Sequence, residues 1–396
     1  MRTPGPVTRG YGVALASSRC RVAAFAFFFV SCISYRAVAQ VPSHAHWFAV
    51  LRDTLPATRD TVVALLRRAG ADTAMQRLPG MLRFSTPDSV TPAMAQLVQR
   101  NPWAPFVLFA SFDPATRAPL STGGSDRAGL WNLAAIGADT ACQVYLVCGQ
   151  GTIGVDLDCG SSNPLLHVIG WYNDAPTADT SLYADVPACN SHGDHTAGTI
   201  AGPPGIGMAP RATLYVMRVA DASGGIYQSL VEFGFMWAGQ QHWDAANASV
   251  GFGGCSGNWS FFTQPAHDSG LALVGAAGND GSNYSECPGG APGVWSIAAW
   301  NGTGLAGFSN SGPSITMSEP GTSIYSTLSS GYGYKDGTSM ATPHATGEVL
   351  LLRTVRPHRP VDSLLADLCA SATPVANGGC GVPNVAAVLR TYAAAG

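Results

Sequence analysis

The run Gly337-Thr338-Ser339-Met340-Ala341-Thr342-Pro343-His344 sets a serine hydroxyl at the mouth of a helix. Small residues on either side of Ser339 let a substrate approach closely. Pro343 falls in the first turn, where a missing backbone N–H costs nothing, and the apolar run Val349-Leu350-Leu351-Leu352 continues the helix as a buried element. Ser339 therefore sits where backbone donors and the positive helix end face outward, which suits an anion forming beside the hydroxyl. A serine hydroxyl is a weak nucleophile near neutral pH. It needs a base to take its proton and a third group to orient that base.

Asn190-Ser191-His192-Gly193-Asp194-His195-Thr196-Ala197-Gly198-Thr199 offers two histidines for the base, with small residues that let a helix pack closely. The i, i+4 spacing and intervening glutamate of a zinc-binding helix are absent, so no metal is expected here. With this string and the serine octapeptide, the chain resembles the subtilisin-like serine proteases. That resemblance implies His192 as the base and His195 as a packing histidine. Asp158-Cys159-Gly160 follows the apolar Ile153-Gly154-Val155 and resembles the family's Asp-Thr/Ser-Gly element, with cysteine in place of the hydroxyl residue. Asp158 is thus the orienting carboxylate. Asp156, two residues earlier on the same side of an extended strand, is the alternative. A third reading takes 144–149 as the equivalent strand with its aspartate lost. Leu273-Val274-Gly275-Ala276-Ala277-Gly278-Asn279-Asp280-Gly281 ends an apolar strand in a Gly-rich turn and resembles the family's oxyanion motif, so Asn279 would donate alongside the Ser339 N–H. The order Asp, His, Asn, Ser is the subtilisin order, whereas an α/β-hydrolase runs Ser, Asp, His around a Gly-x-Ser-x-Gly turn.

The same resemblance supplies substrate contacts. Proteases of this class hold an extended peptide by strand addition. Gly224, Gly225 and Ile226 form one candidate edge and Ser249, Val250 and Gly251 the other, while Ala276, Ala277 and Gly278 would line a pocket tolerant of a sizeable apolar side chain. Asp194 stands where the family more often has threonine. As a nearby anion it would favour the imidazolium and move the acid limb of the pH–rate profile upward relative to Asp194→Thr; a solvated surface carboxylate is the alternative. Structural calcium is implied only by the resemblance, since no oxygen-ligand loop of recognisable spacing is present. A catalytically silent relative that binds peptides, and an esterase or ligase on the same fold, are the rival functions.

Apolar strand-like runs at 144–147, 214–219, 245–250, 271–276 and 294–298 alternate with helical patterns at 192–200, 229–242 and 339–353, the signature of a mainly parallel α/β sheet flanked by helices. The catalytic domain is expected over 131–396. Before it, strands near 46–51, 82–84 and 106–109 and helices at 60–69 and 92–99 suggest a small α+β domain, 40–112, which resembles an inhibitory propeptide. Residues 113–130, rich in Pro, Gly, Ser and Thr, form the expected linker and processing region. Arg2, Arg9, Arg19 and Arg21 precede an apolar run over 22–33 and the small-x-small Ala37-Val38-Ala39, so 1–39 reads as a secretory signal, with lipidation at Cys32 as a lesser alternative. Eight of the ten cysteines lie beyond it, an even number that favours disulfides in an oxidising compartment, Cys255 with Cys287 and Cys369 with Cys380 among them. A net charge of −3 with 11% charged residues leaves no basic surface for nucleic acid. The expected molecule is a secreted monomer whose partners are peptide or protein substrates and its own propeptide.

Overall fold

Short apolar runs alternate with helical stretches after residue 150, and the computed structural model turns that alternation into a sheet covered on both faces. It describes residues 44–51, 56–78, 81–87, 90–100, 103, 107–112, 115–117, 130–172, 175–177, 179–255 and 258–394. All belong to one unit, Gln40–Gly396. The expected signal at 1–39 and most of the linker at 113–130 lie outside the described residues.

The first elements are β1 (His44–Leu51), α1 (Pro56–Arg68), β2 (Thr73–Leu78), β3 (Met81–Pro87), α2 (Thr91–Arg100) and β4 (Val107–Phe112). They build an antiparallel sheet of order β2-β3-β1-β4 whose core holds Val62, Leu66, Leu82, Phe84 and Met94. Strand β2 had no clear signal, because its polar Gln76 and Arg77 interrupt any apolar pattern; it forms by pairing with β3. β1 shows why this unit docks on the rest. Trp47, Ala49 and Leu51 pack into its own core, while Phe48 and Val50, on the opposite face, join the larger core. A short strand, β5 (Ala115–Arg117), follows.

The larger part runs α3 (Trp131–Ala135), α4 (Ala138–Gln143), β6 (Ile153–Asp158), β7 (Val168–Tyr172), β8 (Ala175–Thr177), α5 (Thr180–Tyr183), α6 (His192–Ala201), β9 (Thr213–Arg218), β10 (Gly225–Tyr227), α7 (Gln228–Gln240), β11 (Ala245–Ala248), α8 (Trp259–Asp268), β12 (Ala272–Ala276), β13 (Val294–Trp300), β14 (Met317–Pro320), β15 (Ile324–Thr327), β16 (Tyr332–Lys335), α9 (Thr338–Val355), α10 (Val361–Ala370) and α11 (Val385–Ala394). The sheet order is β14-β13-β12-β11-β6-β9-β7-β8, parallel throughout except for β8, which pairs antiparallel with β7. β6 lies at its centre. Val155 and Leu157 face the core built with α7, while Gly154 faces α9, where an added β-carbon would stand 3.2 Å from Leu350 Cδ1. Asp156 and Asp158 share that second face by the two-residue period.

One expected strand is absent. Residues 144–147 follow α4 as a turn, with Leu146 at φ 58° and Val144 and Leu146 exposed, and the Cys142–Cys148 disulfide closes the loop. The apolar run caps a helix, which removes the reading that put the lost-aspartate strand there. Disulfides Cys255–Cys287 and Cys369–Cys380 are both present, and Cys159–Cys189 is a fourth. No helix among the described residues is long and apolar enough to cross a membrane.

β14 and α9 also bury two neighbouring carboxyls, Glu319 and Glu348, side by side, so that one can give its proton to a hydrogen bond with the other. Burial, then the neighbouring acid, pushes Glu319 well above the carboxylate range, and burial pushes Glu348 up to about 8. A carboxyl whose folded value is raised stabilises the fold fully below its unfolded value near 4.5, and that contribution is lost as pH rises through about 8. Tm is expected to fall between pH 5 and 8. Adding Glu348→Gln should make that fall shallower, with a gain of about 5 °C at pH 8 and little change at pH 5. Parallel Tm–pH curves for the two proteins would contradict this account of the pair.

Candidate active site

Asp158 ends β6 and His192 opens α6, so the site begins where a strand end meets a helix start. A covalent tie reinforces the meeting: Cys159 is disulfide-bonded to Cys189, in the turn that leads to His192. The cysteine that stood in for a hydroxyl residue in the sequence comparison is therefore a cross-link. His192 Nδ1 lies 2.8 Å from Asp158 Oδ1 and 3.0 Å from Oδ2, and the two side chains are 1% and 0% exposed. The Cys159 N–H donates to Asp158 Oδ1 at 2.6 Å. With Nδ1 donating to the carboxylate, His192 Nε2 carries the lone pair, and it has no hydrogen-bond partner among the described residues.

Asp156 is turned to other partners. Its Oδ1 accepts from Asn247 Nδ2 and its Oδ2 from Thr196 Oγ1, each at 2.8 Å. Complete burial, then the charge of Asp158, raises it well above the usual range, against which its two donors work. Of the two aspartates, the structure brings Asp158 and not Asp156 to His192.

Ser339 is the second residue of α9 and is 2% exposed. Gly337 caps the helix at φ 153°, a backbone state that favours glycine. The Ser339 hydroxyl donates to the Ser249 carbonyl at 2.9 Å rather than to His192, and Ser249 Oγ donates in return to the Ser339 carbonyl at 2.9 Å. Asn247 Nδ2 reaches Ser249 Oγ at 3.0 Å, so one buried polar chain links Asp156 to the backbone of Ser339.

Asn279 is oriented by its neighbour. The Thr338 N–H and hydroxyl both donate to Asn279 Oδ1 at 2.9 Å. Because a backbone N–H can only donate, the atom it meets must be the amide oxygen, and Nδ2 is left to donate elsewhere. Asn310 holds the same loop, giving Nδ2 to the Ala277 carbonyl at 3.0 Å and accepting from the N–H groups of Asp280 and Ser282.

The remaining expected residues take definite places. Gly224, at φ 81°, and Gly225 lead into β10, and β5 pairs antiparallel with that strand, Arg117 opposite Gly225 and Thr116 opposite Ile226. An extended segment therefore already adds to this edge. Val250 and Ala277 are fully buried in core clusters, so their side chains serve packing. Gly251 and Gly278 both face Glu286, an acid that the sequence reading passed over. His195 is neutral: burial, then Lys335, lowers it to about 3, and its Nε2 donates to the Ile324 carbonyl at 2.9 Å.

Asp194 is not a solvated carboxylate. It is fully buried and accepts from Ser161 Oγ, the N–H groups of Ser162 and Asn163, and Ser329 Oγ, at 2.7–2.8 Å. Its charge is taken up by the loop after β6. Thr196, Asn247, Asn310 and Thr338 are the other functional-site residues missing from the sequence reading. Thr196 and Thr338 lie within recognised motifs, Asn247 lies beside one and Asn310 lies in none, and only their buried partners distinguish them from surface residues.

A sequence model described as the Subtilase family matches residues 167–385, more than half of the chain. Its span takes in His192, Asn279 and Ser339, and Asp158 lies just upstream. Subtilisin E of Bacillus subtilis (strain 168) is 36% identical over 251 residues, covering 60% of this chain and 64% of that relative. Subtilisin amylosacchariticus of Bacillus subtilis subsp. amylosacchariticus has the same identity and coverage. The thermostable alkaline protease of Halalkalibacterium halodurans is 35% identical over 219 residues, 53% of this chain and 58% of the relative. The chain thus spans somewhat under two thirds of the length of these relatives. The strand-end carboxylate, helix-start histidine and helix-mouth serine occur in the family's order on its parallel sheet, and with the family match they establish that the chain belongs to the subtilase family.

Proposed function

We propose that this chain is a serine endopeptidase, exported as a precursor. The observation that carries the reading is His192 bonded to Asp158 through Nδ1 while its buried Nε2 has no partner. Such a nitrogen is poised to accept a proton. Ser339 Oγ leaves the Ser249 carbonyl, gives its proton to His192 Nε2 and attacks the peptide carbonyl carbon. Asp158 orients the ring and stabilises the imidazolium. The negative charge on the carbonyl oxygen is met by Asn279 Nδ2–H and the Ser339 N–H. His192 then protonates the departing amine, and water, activated by the same base, releases the acyl group. These steps use side chains and backbone alone; structural calcium remains a proposal carried by the family.

Residues 40–112 act in this reading as the inhibitory propeptide and 113–130 as its processing region, a role supported by β5 lying along the β10 edge. The catalytic domain, 131–396, works as a secreted monomer on extended peptides, with Gly224, Gly225, Ser249, Gly251 and Gly278 presenting backbone. One observation favours a second reading, a silent peptide-binding relative: the Ser339 hydroxyl rests on Ser249 and not on His192.

Three measurements separate these readings. Intact mass of the protein secreted from the full precursor should show loss of the segment before about residue 131 in the wild type and its retention in Ser339→Ala; retention in both would favour the silent relative. Asp158→Asn is expected to lower kcat by about ten-thousandfold, as loss of an orienting carboxylate does, and Asp156→Asn by less than about tenfold. The reverse order would move the role to Asp156. Asn279→Ala should lose about a hundredfold to a thousandfold in kcat with KM little changed, and unchanged turnover would remove Asn279 from the oxyanion site.

A further inference from the structure

Two backbone walls, residues 249–253 and 276–280, lead away from Ser339 and Asn279, and one short segment bridges them. The first wall is bonded to Ser339 through Ser249, and the second to Thr338 through Asn279. Between them, the Glu286 N–H donates to the Ala277 carbonyl at 2.8 Å. Phe252 N–H donates to the Cys287 carbonyl at 2.8 Å and Cys287 N–H to the Gly253 carbonyl at 2.9 Å, and the Cys255–Cys287 disulfide adds a covalent link to the first wall's continuation. Glu286 is thereby held across the slot.

Its side chain fills the space that two glycines leave. A β-carbon at Gly251 would overlap Glu286 Oε2, and one at Gly278, which has φ 108°, would stand 2.9 Å from Glu286 Cγ and Cδ. Asp280, at the end of the second wall, is exposed. Burial, then the hydrogen bond and charge of Asp280, pushes Glu286 up to about 7. Among the described residues, no Lys, Arg or His forms an ion pair with either acid. A half-buried acid beside a second, exposed acid offers a cation two carboxylates at once, and a cation there would favour the ionised form of both.

We propose that Glu286, with Asp280 at the rim, makes this slot the receptor for a lysine or arginine side chain on the residue whose carbonyl Ser339 attacks. The inference rests on the proteolytic reading above and replaces the sequence expectation of a pocket for a large apolar side chain. An ammonium or guanidinium would pair with the carboxylates, whereas an apolar side chain would cover Glu286 and offer it no opposite charge. The two glycines are then required: any β-carbon at either place displaces the carboxyl.

The test uses the matured product of the full precursor and peptides identical except for Arg, Lys or Leu before the scissile bond. The wild type is expected to show kcat/KM at least tenfold higher on the arginyl and lysyl peptides than on the leucyl one. Glu286→Gln should lower that ratio at least tenfold, and Asp280→Asn should lower it less. Benzamidine, a cation without a scissile bond, should inhibit the wild type competitively and Glu286→Gln at least tenfold more weakly. Equal or better cleavage of the leucyl peptide by the wild type overturns this inference and leaves proteolysis standing. No cleavage of any peptide, together with an unprocessed precursor, overturns both.

Discussion

The hydrogen bond between Asp158 and His192 constrains everything around it. An ionised carboxylate removed from water is costly unless donors surround it, and here they come from the ring Nδ1 and the Cys159 N–H. Both partners must be fixed on separate elements, because neither could be buried alone. A central parallel strand supplies Asp158 at its C-terminal end, where open α/β sheets commonly place their sites, and α6, after β7, β8 and α5, supplies His192 at its start. The Cys159–Cys189 cross-link ties the strand end to that helix's approach. Asp194, seated on the Ser162 and Asn163 N–H groups, fixes the intervening loop.

A second polar layer lies under the first. Asp156, Thr196, Asn247 and Ser249 run from beside Asp158 to the backbone of Ser339, so the three elements that carry Asp158, His192 and Ser339 share one buried network. Such a network is favourable only when its members are satisfied, and Asp156 accepts from Thr196 Oγ1 and Asn247 Nδ2 on its two oxygens. It holds elements in register; the reacting groups are elsewhere. The Thr338–Asn279 contacts do the same for the loop after β12, using up the amide oxygen so that Nδ2 is left to donate elsewhere.

Much of this was legible in the chain because local sequence encodes it. β9, β11, β12 and β13 formed where apolar runs indicated, and Ser339, His192 and Asn279 were marked by small residues and helix or strand ends that have a physical reason to be there. Asp158 against Asp156 was not decidable from periodicity, since both share one face of β6; only the partners of each separate them. Residues 144–147 misled because an apolar run closing a helix looks like a short strand until its disulfide is known. Glu286 had no local signal at all. Its meaning comes from Gly251 and Gly278, distant in sequence, which leave room for its carboxyl.

The central claim is that His192 activates Ser339 for attack. A fluorophosphonate probe tests it without choosing a peptide, because the probe reacts covalently with a serine oxygen only when a base removes its proton. Intact mass and peptide mapping of the matured protein should show one adduct, on Ser339, and preformed His192→Ala protein should label at least a hundredfold more slowly. No adduct on Ser339, or labelling at the same rate without His192, would contradict the account.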